Sequence, residues 1–153
     1  MSTEIDVLFP SAAPPEPLFR ALTDTDGFHK WLPGFVQCDR RGDITSPGTR
    51  FAVTRRLNDT TAEAQYEVLQ YSQPSTFSVR MDGPPPNATT YRYTYTLSKS
   101  DTGTDVRVTV LAENPEGVSA LALSLILKML RSGVQRDLHA LGAYVSGVNA
   151  TAD

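Results

Sequence analysis

The side chains best equipped for chemistry in this 153-residue chain are few, and tyrosines stand out among them. Tyr91, Tyr93 and Tyr95 alternate along one segment, and Tyr66 stands in an earlier one. Alternate positions of a strand share a face, so these phenols are expected on one side of a sheet. A core built for stability alone favours Val, Ile and Leu, which carry no hydroxyl to satisfy. Two readings follow. One is core packing with each hydroxyl at the core's edge; the other is a pocket wall that stacks on an aromatic or polycyclic ligand and hydrogen-bonds its oxygens. Arg55 shares the inward register of Phe51 and Val53. A buried, unpaired charge is very costly, so Arg55 is expected either to snorkel to water from a strand end or to meet a ligand carboxylate or enolate.

Other chemistries find little support. His29 and His139 are the only histidines, sit on different elements and read as solvated helix positions rather than a catalytic pair. No His, Asp or Glu spacing resembles a metal site, and no nucleophile elbow or Gly-rich phosphate loop is present. Cys38 is the single cysteine, so it forms no intramolecular disulfide or thiolate cluster, and it lies in a strand rather than at an activating helix N-terminus. With 14 basic against 17 acidic residues the net charge is −3, which argues against a nucleic-acid partner. Met1-Ser2-Thr3-Glu4 lacks the basic and apolar regions of a secretory signal, and no segment reads as transmembrane. The sequons at Asn58, Asn87 and Asn149 therefore read as chance and the chain as cytoplasmic. No catalytic residue can be assigned.

These side chains are positioned by a regular succession of elements. Ile5, Val7 and Phe9 alternate as a first strand that Pro10 should end, and Pro14-Pro15-Glu16-Pro17 opens a helix with Leu18, Phe19 and Leu22 on its apolar face. Asp24 to Gly27 break the pattern, Phe28 to Trp31 give a second short helical turn, and Pro33-Gly34 stops it. From Phe35 to Glu113 short alternating runs are joined by turn residues, as in an antiparallel meander. The alternations are Phe51-Val53-Arg55-Leu57, Ala64-Tyr66-Val68, Phe77-Val79-Met81, Tyr91 to Leu97 and Val106-Val108-Val110. From Val118 to Val148, apolar residues from Leu123 to Val148 fall at steps of three and four, predicting one amphipathic helix about 45 Å long. So long a helix needs a support of similar length, and a curved sheet of about seven strands is what the chain supplies. The organisation is a single α+β domain over 4–148, with 149–153 read as a frayed tail.

This order of elements resembles the START-like (SRPBCC) superfamily and its helix-grip fold, in particular the bacterial polyketide cyclase/dehydrase and lipid-transport branch. The residues that carry it are Pro14 to Asp24 after the first strand, Trp31-Leu32-Pro33-Gly34 closing the second helix, and Gly103 to Val108 opening the last strand. The resemblance runs over Glu4 to Gly147 and rests on structural motifs, which specify a fold rather than a reaction. It implies lipids, aromatic polyketides or other apolar small molecules as ligands. It implies no cofactor, and no catalytic residue carries over from it.

Three functions follow as expectations: binding or transport of a hydrophobic small molecule, a cyclase/dehydrase-type enzyme, and a protein-interaction module. The expected ligand contacts are Trp31, Phe51, Arg55, Tyr66, Phe77, Met81, Tyr91, Tyr93 and Tyr95, with Leu125 and Met129 of the long helix. Arg50, Glu67, Arg80, Arg92 and Arg107 should point outward. The first half of the long helix is apolar nearly all round, which predicts a pocket mouth rimmed by Pro84-Pro85-Pro86 and hinged at Asn114 to Gly117; a homodimer interface is the second reading.

Overall fold

The protein, a computed structural model described over residues 3–83 and 88–151, is a seven-stranded antiparallel sheet wrapped on one long helix. The strands are β1 (Glu4–Ser11), β2 (Phe35–Arg41), β3 (Arg50–Leu57), β4 (Thr60–Ser72), β5 (Thr76–Asp82), β6 (Thr90–Ser100) and β7 (Gly103–Glu113). Their order across the sheet is β1-β7-β6-β5-β4-β3-β2, so β1 and β2 are the edges. Helix α1 (Pro15–Thr23) and a 3-10 helix (Thr25–Lys30) connect β1 to β2, and helix α2 (Ala120–Thr151) follows β7. This is the expected α+β helix-grip architecture.

Three boundaries differ from expectation. Pro10 does not end β1; the strand continues to Ser11, with Pro10 opposite Asp105. An edge strand pairs on one side only, so the missing proline N–H disrupts no second ladder. The second short helix begins at Thr25 rather than Phe28, closed by the Gly27 N–H donating to the Asp24 carbonyl at 3.0 Å. The backbone of α2 is helical past Val148 to Thr151 and unbroken at Gly133 and Gly142. Gly142 sits where a Cβ would lie 2.9 Å from the Phe9 ring, so a side chain there would separate α2 from β1. Its helical penalty of about 1 kcal/mol is offset by that close packing.

The expected strand faces are seen from β3 to β6. Phe51 opposes Tyr66, Tyr66 opposes Met81, and Phe77 opposes Tyr95, all facing α2. On the convex face Arg50 pairs with Glu67 and Asp82, while Arg80 and Arg92 share Glu113 at 3.1 and 2.7 Å. Arg107 pairs with Asp6. These are partly solvated pairs, worth little individually, but their placement fixes the face. A bulge between Val68 and Gln70 shifts the register, so Tyr71 turns inward against Phe77 and Phe19. Strict alternation from Val68 would have sent Tyr71 outward.

The core lies where α1 and the inner face of α2 meet the concave face of the sheet. Phe19, Leu18, Val106, Val108, Val110 and Leu123 are essentially inaccessible to solvent. Along α2, Leu123, Leu127, Val134, Leu138, Leu141 and Val145 are buried at steps of three, four and seven, the stripe that a sheet-packed helix needs.

Candidate functional site

The sheet curves away from α2 on the β3–β5 side, and an internal cavity of about 610 Å³ fills the gap. Its floor is Phe51, Val53, Phe77, Val79, Tyr93 and Tyr95, its ceiling Met129, Leu130, Val134, Leu138 and Leu141, and Trp31 with Leu32 closes one end. Leu57, Thr60 and Glu63 from the β3–β4 hairpin face Met129 and Arg136 of α2 across the opening. Size and apolar lining suit a small organic molecule.

The aromatic floor is ordered. Phe51 stacks on Tyr66 at 5.0 Å between centroids and 14° between planes, and Tyr93 on Tyr95 at 6.5 Å and 17°. Among the described residues the hydroxyls of Tyr66, Tyr93 and Tyr95 have no hydrogen-bond partner, and the only sealed, unpartnered side-chain polar atom is Arg92 Nε on the other face. The three hydroxyls therefore reach accessible space within the cavity. Burial raises all three pKa values, Tyr66 to about 12 and Tyr93 and Tyr95 well above the ordinary phenol value. Asp137 adds to the rise and Arg55 opposes it. At neutral pH the phenols are uncharged donors.

A pH prediction follows with its sign. Above pH about 10 the unfolded chain loses phenolic protons that the folded chain retains, so the folded state binds more protons and stability falls as pH rises. Tyr66 loses its contribution across the window from its ordinary value to about 12. Tyrosinate absorbance should show Tyr66, Tyr93 and Tyr95 lagging behind an ordinary phenol until the chain unfolds. One transition for all tyrosines at the ordinary pKa would contradict the burial of these phenols.

Arg55 has partners within the protein. It forms a two-pronged ion pair with Asp137 of α2, Nη1 to Oδ2 at 2.9 Å and Nη2 to Oδ1 at 2.8 Å. Its Nε and Nη2 also donate to the Pro33 carbonyl at 3.0 and 2.8 Å. Burial disfavours its charge, but the hydrogen bond and charge of Asp137 outweigh this and hold the pKa above its ordinary value. One guanidinium thus ties the sheet, the Pro33 corner and α2 together at the cavity wall. At that corner Gly34 has φ +72, and a Cβ would lie 2.2 Å from the Arg56 carbonyl. Glycine is what permits this close approach.

Nine of the eleven expected contacts line the cavity: Trp31, Phe51, Arg55, Tyr66, Phe77, Met81, Tyr93, Tyr95 and Met129. Trp31 also packs on Phe28 and donates its indole N–H to the Ala21 carbonyl at 3.3 Å. Tyr91 and Leu125 do not line it. Tyr91 has the right face but sits opposite Met81 and Ala112, near the end of its strand pairings, fully enclosed beside Gly83 and Thr89. Leu125 projects from α2 into solvent. Asn114 to Gly117 do not line the cavity either, and the Pro84-Pro85-Pro86 rim lies outside the described residues. His29 and His139 are both exposed, and His139 lies edge-on to Phe9 at 5.3 Å, away from the cavity. Cys38 is half-buried, and burial raises its pKa, the reverse of activation.

A curved sheet gripping a long helix over a cavity defines the helix-grip class. A family profile described as polyketide cyclase/dehydrase and lipid transport matches residues 2–146, and the chain belongs to that START-like (SRPBCC) family. No curated protein matches the sequence significantly. Among solved structures, Ara h 8.0201 is similar with a TM-score of 0.79 and 18% identity, covering 94% of this chain and 97% of that one. A Mesorhizobium loti protein is similar at 0.73 and 21%, covering 94% and 96%. The di-domain ARO/CYC StfQ from the steffimycin biosynthetic pathway is similar at 0.79 and 12%, covering 97% of this chain and 52% of that one, so the chain spans about half of it. Identities this low bear on the fold alone.

Proposed function

We propose that the protein binds a hydrophobic, ring-containing small molecule in the cavity between the sheet and α2, with Tyr66, Tyr93 and Tyr95 donating hydrogen bonds to its oxygens. The observation that carries this reading is the three phenolic hydroxyls that face an apolar cavity without a protein partner. Stacked rings supply flat apolar contact, and neutral donors inside an apolar wall favour carbonyl or ether oxygens over water. Membership of a cyclase and lipid-transport family supports the ligand class. Polyketide cyclisation is the second reading, supported by membership of a family whose description includes polyketide cyclases and by donors that could stabilise a developing enolate. Binding is preferred because Arg55, the shielded cationic group in the wall, is committed to Asp137 and Pro33 rather than free to polarise a substrate, and Arg136, the other lining cation, is exposed.

Native mass spectrometry of freshly purified protein tests the proposal. The expected spectrum contains a bound species of defined small mass, which an added apolar aromatic probe displaces. A clean unliganded mass, together with no uptake of the probe, would contradict ligand binding.

A further inference from the structure

We propose that the exposed face of the first half of α2 docks on an anionic lipid bilayer and holds the cavity mouth against its surface. Leu121, Leu125 and Met129 stand one helical turn apart and are 72%, 60% and 66% exposed. Their line faces away from the sheet, because Leu123 and Leu127 take the sheet-facing side. These three are the exposed large apolar side chains of α2 among the described residues. A solvated helix face has no use for such a row.

The charge around the row has one sign. Lys128, Arg131 and Arg136 are basic, and no acidic residue lies between Gly117 and Asp137, although the whole chain has a net charge of −3. Lys128 follows Leu125 by three positions and Arg136 follows Met129 by seven, so both share the exposed arc. Arg131 lies at its flank, with Nη1 donating to the Asp6 carbonyl at 3.0 Å. Arg136 approaches Asp137 only at 3.9 Å, and Glu63 on the opposite lip and Glu116 ahead of the helix bound the patch. A second copy docked through the same face would bring Lys128 and Arg136 near like charges, whereas anionic headgroups complement them. No helix among the described residues is long and apolar enough to cross a membrane, so α2 would lie in the interfacial plane.

Met129 joins this surface to the cavity, since it belongs to the exposed row and also lines the opening. A bilayer on this face would therefore meet the mouth through a continuous apolar path. Docking is measured without a cavity ligand, so it stands or falls separately from the binding proposal.

The test is co-sedimentation of the full chain with phosphatidylcholine vesicles prepared with and without phosphatidylglycerol. The full chain should bind the phosphatidylglycerol vesicles at low salt, bind neutral ones at least about fivefold less, and be released at high salt. Leu125→Glu should weaken binding about tenfold and Lys128→Glu at least about fivefold, whereas Leu8→Glu, at an exposed position of β1, should change nothing. No binding of the unaltered chain to the anionic vesicles, or equal loss in Leu8→Glu, would overturn the proposal. So would a dimer in sedimentation velocity that Leu125→Glu dissociates, which would assign the face to a second copy.

Discussion

Replacing Arg55 with alanine is expected to destabilise the fold by about 3 kcal/mol, the largest loss from any single polar side chain. The change leaves Asp137 with only the distant Arg136, at 3.9 Å, as counter-charge and the Pro33 carbonyl without its donors, in a place where both partners of the pair are largely shielded, with side chains 18% and 25% exposed. That residual exposure puts the loss at the lower end of the range for breaking a buried pair. Urea unfolding of Arg55→Ala, Asp137→Ala and the double variant should show strong coupling, the double change costing less than the sum of the singles by about 2 kcal/mol. The reason is geometric: one guanidinium joins β3, the corner after the 3-10 helix and α2, and each single change strands a partner. Additive losses would mean that the three elements hold together without the pair.

Ala64→Trp is expected to abolish uptake of an apolar probe, lowering affinity at least about tenfold while leaving the unfolding midpoint nearly unchanged. Ala64 lies opposite Val53 with its side chain in the cavity wall, so an indole there projects into open space rather than into packed neighbours. Overpacking penalties arise when a core is already full, and this region is not. The control is Leu8→Trp, at an exposed position of β1, which should leave both quantities unchanged. Retained affinity in Ala64→Trp would place the probe outside the cavity, and a collapsed unfolding midpoint would show that the cavity is narrower than described.

How the site became legible differs from residue to residue. Phe51, Tyr66, Phe77 and Tyr93 were readable because period-2 alternation fixes a face once one residue of a strand is placed, and their runs contain no bulge before the cavity. Tyr71 was hidden by the Val68/Gln70 bulge, which leaves no mark in a run of ordinary strand residues. Tyr91 shares the face of Tyr93, but which part of a face borders open space depends on sheet curvature, and alternation does not encode curvature. Asp137 was the chief omission, and a signal for it existed. It follows Leu130 by seven positions and precedes Leu141 by four, so it falls on the apolar side of the long helix. A carboxylate on an apolar helix face and an arginine on an apolar strand face call for each other, and pairing them would have placed α2 over β3.

The cavity is the centre of this account, and the most direct measurement is a methyl-detected NMR titration with anilinonaphthalene sulfonate. The expected perturbations are saturable and concentrated on Val53, Val79, Val134, Leu138 and Leu141, which line the cavity from both sides. Val106 and Val108, sealed in the core, should respond little, and Leu121 and Leu125 on the outer face of α2 should not lead. Perturbations confined to Leu121 and Leu125, or a failure of the cavity methyls to saturate, would contradict an internal binding site.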